Sequence, residues 1–257
     1  MTVNPVAEGG RAAASLRLVS YNVHDLRDDR DAVAHVLRSL RCDVACLQEV
    51  TRRWFQRGPV RRLARESAMR WVSGGRSSGG TAVFVGRRVD VVQATAFRLP
   101  VRGPLARTRG AATATVSLDG ARLTAVSVHL PLRAEERVSH ARLVRARLAA
   151  SCAADAGPTS LVIAGDLNEP PDGPAWAALG DGLADAAAQV GEPAPTFTAR
   201  RPSRRIDAVL VGPGVRVAAV WVPGAGAGTW PDVTSEDLAA ASDHLPVVVD
   251  LLLGSAG

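Results

Sequence analysis

Apolar and polar residues alternate over positions 16–21, and the run stops at Asn22. A period of two marks a half-buried strand. Similar runs recur at 43–47, leading into Gln48 and Glu49, and at 123–128, stopping at His129. Another covers 161–165 and stops at Asp166, with Asn168 two residues on. Two further runs are entered through polar groups. Asp207 precedes 208–211, and Asp243-His244 precedes the apolar stretch 247–249. Six strand-like segments therefore carry carboxylates, amides or imidazoles at or near their ends.

Other elements follow from the same patterning. Over 31–40, Val33, Val36, Leu37 and Leu40 share one face, which predicts a helix capped by Asp28, Asp29 or Asp31. Residues 59–69 predict a second, arginine-rich helix. Arg57, Arg61, Arg62, Arg65 and Arg70 read as a solvated face more readily than as a nucleic-acid surface. Residues 74–80 form a glycine-serine loop, and 81–85 and 89–97 read as strands. Segments 111–118 and 121–128 alternate and are joined by Asp119-Gly120. That pair predicts a two-residue hairpin with positive φ at both positions. Residues 133–153 predict a long helix with Val138, Ala141, Leu148 and Cys152 inward. Strands are expected at 215–221 and 247–253, a loop at 224–241 and a turn at 169–174. No linker divides the chain, so 16–257 is expected to fold as one domain behind a disordered tail, 1–15.

Composition narrows the class. Hydrophobic residues make up 47% of 257 positions, enough for a sizeable single core. No apolar run reaches membrane-spanning length. Residues 1–15 lack the basic-then-apolar order of a signal peptide, so a cytoplasmic location is expected. Cys42, Cys46 and Cys152 lie in apolar contexts and are expected to be buried, reduced thiols. All 31 basic residues are arginine, and the formal charge is +6. That charge is compatible with a polyanionic or phosphate-bearing substrate.

Each strand-end residue has an ordinary use by itself. Asn22, Asp166 and Asn168 can close turns, Glu49 can sit in solvent, and His129 can be a satisfied core histidine. All of them together at strand ends point instead to a site presented by a sheet scaffold. Carboxylate and amide oxygens suit a hard divalent cation, Mg²⁺ or Mn²⁺, and no spacing suits zinc. Two histidines suit proton transfer and phosphate contacts.

The ordered set Tyr21-Asn22-Val23-His24, Leu47-Gln48-Glu49, Val128-His129-Leu130, Gly165-Asp166-Leu167-Asn168, Ile206-Asp207-Ala208-Val209 and Ser242-Asp243-His244-Leu245-Pro246 resembles the endonuclease/exonuclease/phosphatase superfamily. The resemblance spans residues 16–253. It implies an α/β protein, a four-layer αββα sandwich of two packed mixed β-sheets flanked by helices, as in deoxyribonuclease I. It implies a divalent-metal-dependent phosphoester hydrolase, with a nuclease-type phosphodiesterase as the leading expectation. A lipid or small-molecule phosphoesterase is the alternative, and a scaffold without activity a third.

By this resemblance Glu49, Asn22 and Asp243 hold Mg²⁺, with Mn²⁺ as a substitute. Asp166 and Asn168 orient or activate water, and Asn168 also holds a phosphate oxygen. His244, oriented by Asp207, is base or phosphate-contacting cation. His129 assists as acid or phosphate ligand, and Arg109 binds phosphate. The partner expected is a phosphoester substrate, nucleic acid among the possibilities, for a monomeric protein. Two departures stand out. His24 occupies the place of an Asp in apurinic-site endonucleases, with Asp25 next to it, and Gly79-Gly80 occupies the place of a Glu in deoxyribonuclease I.

Overall fold

The structure is a computed structural model that describes residues 13–50, 57–101, 107–152, 160–225 and 230–254. Its strands form two six-stranded sheets. The first runs, in spatial order, β11 (Val215–Trp221), β12 (Val247–Leu253), β1 (Ala14–Asn22), β2 (Val44–Gln48), β4 (Ala82–Val85) and β3 (Arg70–Gly74). The second runs β5 (Asp90–Arg98), β6 (Gly110–Leu118), β7 (Ala121–His129), β8 (Ser160–Asp166), β10 (Asp207–Val211) and β9 (Ala184–Asp185).

Both sheets share one plan. Each has a single parallel pair, β1–β2 and β7–β8, and is antiparallel elsewhere. A parallel pair needs a long crossover. Helix α1 (Arg30–Leu40) supplies the first and α3 (Ala134–Cys152) the second. The polar residues that end β1, β2, β7 and β8 are thereby carried to a common edge.

The period of two decides the layers. In the second sheet Leu123, Ala125, Val162, Ala164, Val209 and Val211 join the core shared with the first sheet. Their alternates Val126, Val128, Ile163, Ala208 and Leu210 pack instead with Ala141, Val144 and Leu148 of α3 and Trp176 and Leu179 of α4 (Pro174–Gly180). Both faces are covered, which is why these strands read as nearly continuous apolar runs. Helices α1, α2 (Arg57–Glu66) and α6 (Ser235–Ala241) contribute to the first sheet's cluster through Val36, Leu63 and Leu238. The result is the expected four-layer αββα sandwich. Face burial outweighs capping in holding α1. Val33, Val36, Leu37 and Leu40 are buried, together worth on the order of 8 kcal/mol. The Asp29 cap, which accepts from Asp31 N and Ala32 N, adds about 1 kcal/mol.

The hairpin expectation is met: Asp119 has φ 50° and Gly120 φ 83°. Four expectations need correction. The loop expected over 224–241 contains α6, opened by a capping box between Thr234 and Asp237. The turn expected over 169–174 ends in the first residue of α4, because Pro is preorganised for a helix's first position. The 74–80 loop contains a 3-10 turn over Gly75–Ser78, and the arginine-rich helix stops at Glu66. Strands β3 and β9 and helix α5 (Ala186–Val190) were not expected. Strand β1 takes in Ala14 and Ser15, and the remainder of the expected tail, apart from Ala13, lies outside the described residues. Cys42 and Cys46 are free and buried, and burial pushes the Cys42 thiol up to about 12. The Cys152 side chain lies outside the described residues.

Candidate active site

Backbone register assembles the polar strand ends. Asp166 lies opposite both His129 on β7 and Asp207 on β10. Asn22 lies beside Gln48 at the end of β1 and β2. The two sheets meet here: Asn22 Nδ2 donates to Asp166 Oδ2 at 3.0 Å, and Gln48 Nε2 donates to Ser127 Oγ at 3.2 Å. Glu49 and Asn168 both adopt left-handed backbone, φ 55° and 54°. Strained conformations of this kind collect at functional sites, where they aim a side chain.

Asp166 Oδ2 is the hub. Besides Asn22 it meets His129 Nε2 at 3.3 Å and His244 Nε2 at 3.8 Å. Its other oxygen accepts from the Asn168 backbone N–H at 2.9 Å. The Asn168 amide nitrogen lies 2.9 Å from the Leu130 carbonyl and 3.1 Å from His129 Nε2. An Nε2–H tautomer of His129 donates to Asp166 at 3.3 Å, and an Nδ1–H tautomer accepts from Asn168 at Nε2. Burial first, then the Asp207 charge, raise the pKa of the Asp166 carboxyl well above the carboxylate range.

The second array is His244 on Asp207. Nδ1 and Oδ2 are 3.0 Å apart, and both residues are buried. Burial works against the imidazolium, but the Asp207 charge and hydrogen bond, aided by Asp166 and Asp243, carry the His244 pKa up to about 10. The ring also rests 4.9 Å from the Phe197 ring.

Every expected site residue lies at this edge. Glu49 Oε1 is 3.8 Å from His129 Nδ1. Asp243 is the most open, its side chain 40% exposed and 3.9 Å from His24 Nδ1. Arg109 is buried just before β6, and the register that pairs Ala111 with Val128 sets it at the His129 end. Among the described residues, the ligand atoms grouped within 4.8 Å of one another belong to Asp166, Asp207 and His244. Asn22, Glu49 and Asp243 border this group through Asp166, His129 and chain adjacency to His244. The donor set fits a divalent cation. Two buried carboxylates face each other, and Asp207 Oδ1 is buried with no hydrogen-bond partner, so a cation there satisfies an otherwise orphaned oxygen.

Several supporting residues escape sequence reasoning. Ser242 Oγ donates to the Asn22 carbonyl at 2.7 Å and accepts from His244 N at 3.2 Å, tying the His244 turn to β1. Thr196 Oγ1 accepts from Ile206 N and Asp207 N at 3.3 Å each. Glu169 braces the Asn168 turn, accepting from Arg137 Nε at 2.8 Å and Trp176 N at 2.6 Å. Ser242 stands in a motif already singled out. Thr196 and Phe197 lie in a Pro/Thr stretch without periodicity and offer no signal.

The sequence model of the Endonuclease/Exonuclease/phosphatase family matches residues 19–244. The chain belongs to that family, whose hydrolases act on phosphoester bonds. Solved structures share its fold. The endonuclease/exonuclease/phosphatase of Bacteroides vulgatus superposes with TM-score 0.71 at 20% identity, covering 93% of this chain and 99% of that one. The Bacteroides thetaiotaomicron mannosyl-6-phosphatase gives TM-score 0.71 at 20% identity, covering 93% and 100%. D. rerio TDP2, solved with a single strand DNA product, gives 0.71 at 19% identity, covering 93% and 99%. No curated protein matches the sequence. Among the described residues no helix is long and apolar enough to cross a membrane.

Proposed function

We propose that the protein is a divalent-metal-dependent phosphodiesterase of the nuclease type. The observation that supports this is the convergence of Asn22, His129 and His244, drawn from both sheets, on one oxygen of Asp166. Phosphoester hydrolysis needs an activated water, stabilised charge and a proton for the leaving group.

His244 supplies charge. Held at Nδ1 by Asp207 and with its pKa at about 10, it is an imidazolium at neutral pH and turns its Nε2–H to a phosphate oxygen. A base must be unprotonated, so of the two roles open to His244 the phosphate-contacting cation is favoured. Asp166, with its raised pKa, is basic enough to take a proton from water near neutrality. Asn168 donates an amide hydrogen to the Leu130 carbonyl and keeps its side-chain oxygen to orient that water. His129 passes a proton to the leaving group, and Arg109 grips a phosphate oxygen. Mg²⁺, or Mn²⁺ in its place, would be held by Glu49, Asn22 and Asp243 beside the Asp166–Asp207 pair, and supplies Lewis-acid polarisation of the phosphoryl group when bound.

A phosphoesterase acting on small molecules is the second reading, supported by the mannosyl-6-phosphatase among the similar structures. The experiment is a side-by-side panel of plasmid DNA, RNA, sphingomyelin and inositol phosphates, with Mg²⁺ and with EDTA. Cleavage of a nucleic acid that EDTA abolishes is expected. Turnover of only the lipid or the inositol phosphates refutes the lead in favour of the second reading.

A further inference from the structure

Helix α2 carries four arginines, and the fold treats one of them differently. Arg62 is neutralised by Glu66 at 2.7 Å and Asp31 at 3.7 Å. Arg57, Arg61 and Arg65 repeat every four residues on another face. They are exposed and form no ion pair among the described residues. Like charges four apart on a helix repel, and among the described residues no carboxylate pairs with these three. Across a cavity of about 590 Å³ they face Arg70, Trp71 and Arg87. Among the described residues no carboxylate lines it. A second recess of about 410 Å³ shares Arg57 and adds Arg76 and Arg98. It lies toward the edge that holds the candidate active site: the turn after β3 ends at Gly80, whose carbonyl accepts at 2.9 Å from the N–H of Val50, the residue after Glu49.

We propose that this arginine-lined trough is a docking surface for the phosphate backbone of a single-stranded nucleic acid. The proposal rests on the phosphodiesterase reading of the neighbouring site. A lone phosphate would be gripped by converging arginines, whereas cations repeating about every 6 Å along a helix suit a polymer of phosphates. Half-buried Trp71 in the wall offers a face on which an unpaired base can stack, which a duplex base cannot reach. A lipid surface would want protruding apolar side chains among the cations. Among the described residues, the exposed large hydrophobics Val92, Val101, Leu132 and Leu143 lie off α2 and β3.

The test is fluorescence anisotropy with a labelled single-stranded oligodeoxythymidine, in EDTA so that nothing is cut, across about 50 to 200 mM salt. The triple variant Arg61→Gln, Arg65→Gln, Arg87→Gln should bind at least about tenfold more weakly. Its salt slope should be shallower by about 2, since each neutralised phosphate on a single strand contributes about 0.7. The same three positions changed to Lys should keep the slope, and Arg62→Gln should change neither quantity. Trp71→Ala should weaken binding about fivefold or more. Melting temperatures establish that each variant is folded. An unchanged slope in the folded triple Gln variant overturns the proposal. So does a native protein that binds phosphatidylserine vesicles but not the oligonucleotide, or that prefers duplex to single strand. Turnover of bis(p-nitrophenyl) phosphate by the native protein with Mg²⁺ tests the phosphodiesterase reading separately. Its absence beside arginine-dependent binding removes that reading and keeps the docking surface.

Discussion

Changing Asp207 to Asn preserves the shape of the site and removes the charge that keeps His244 protonated. Asp207 Oδ2 stands 3.0 Å from His244 Nδ1. Burial lowers the pKa of the ring, and the Asp207 charge and hydrogen bond are the foremost effects carrying it to about 10. Against an ordinary value of about 6.5, that is a preference for the imidazolium on the order of 5 kcal/mol. Asp166 and Asp243 still support the cation in the variant, while burial still opposes it. The His244 pKa should therefore fall by about two or more. Ring NMR shifts followed against pH in metal-free protein measure this directly.

The linkage has a definite sign. A histidine whose folded pKa exceeds its unfolded one adds stability that is complete below about 6.5 and is lost as pH rises through about 10. The native melting temperature should drop across that window, and Asp207→Asn should flatten the dependence. Turnover should fall by roughly 10² to 10⁴ in the variant, with the alkaline limb of the rate profile moved to lower pH. Asp207→Ala with His244→Ala should cost little more than the worse single change, because the two act as one unit. A native ring that titrates near 6.5, or one whose pKa is indifferent to Asp207→Asn, would refute the reasoning.

Glu49→Gln keeps the side-chain size and removes a charge expected to hold the cation. Activity on any cleaved phosphoester should fall by orders of magnitude and recover in part with Mn²⁺, and full turnover in EDTA would exclude the role. Gly120→Val places a β-branched residue at φ 83° and should destabilise by about 1 kcal/mol or more in chemical denaturation, with activity unchanged. Glu169→Ala removes the carboxylate 2.8 Å from the half-buried Arg137 guanidinium, which keeps the Pro131 and Leu132 carbonyls, and leaves the Trp176 N–H without that acceptor. A loss of about 1–3 kcal/mol is expected, with reduced turnover because the Asn168 turn loosens, and an unaltered melting curve would count against it.

The strand ends are legible in sequence because a buried strand tolerates polar residues only where it leaves the core. Asn22, Glu49, His129, Asp166 and Asp207 each break an apolar run, so their positions announce themselves. Which of them touch does not. Asn22 and Asp166 are 144 residues apart, and only the stacking of two sheets brings them together. The His244 pKa is equally hidden, since it depends on burial and on a carboxylate 37 residues away. Strand β3 escapes because an edge strand with the burial sequence exposed, intermediate, intermediate, buried, intermediate has no clean alternation. Helix α6 buries only Leu238 and Ala241 across seven residues, too few for a 3.6 period to emerge. Its Thr234–Asp237 capping box was the usable signal. The arginines of α2 show the limit most plainly. In sequence Arg57, Arg61, Arg62, Arg65 and Arg70 read alike as a solvated face, and only the fold separates Arg62, facing carboxylates, from the three of α2 facing a trough.

Charge at the candidate active site suits a bound cation. Asp166 and Asp207 lie opposite each other on paired strands and are both buried. Two carboxylates and one imidazolium sum to −1, and an approaching phosphodiester carries −1 as well. In a buried site that repulsion is poorly screened. Balance comes either from a proton on Asp166, which its raised pKa favours, or from a divalent cation. With the proton, Asp166 cannot accept another from water. With the cation, it would stay ionised and could serve as the proposed base. Under the proposed function, the raised carboxyl pKa would mark the proton-bound side of an exchange between proton and metal. The arginines of α2 stand outside this exchange, so EDTA should silence cleavage while leaving the oligonucleotide bound.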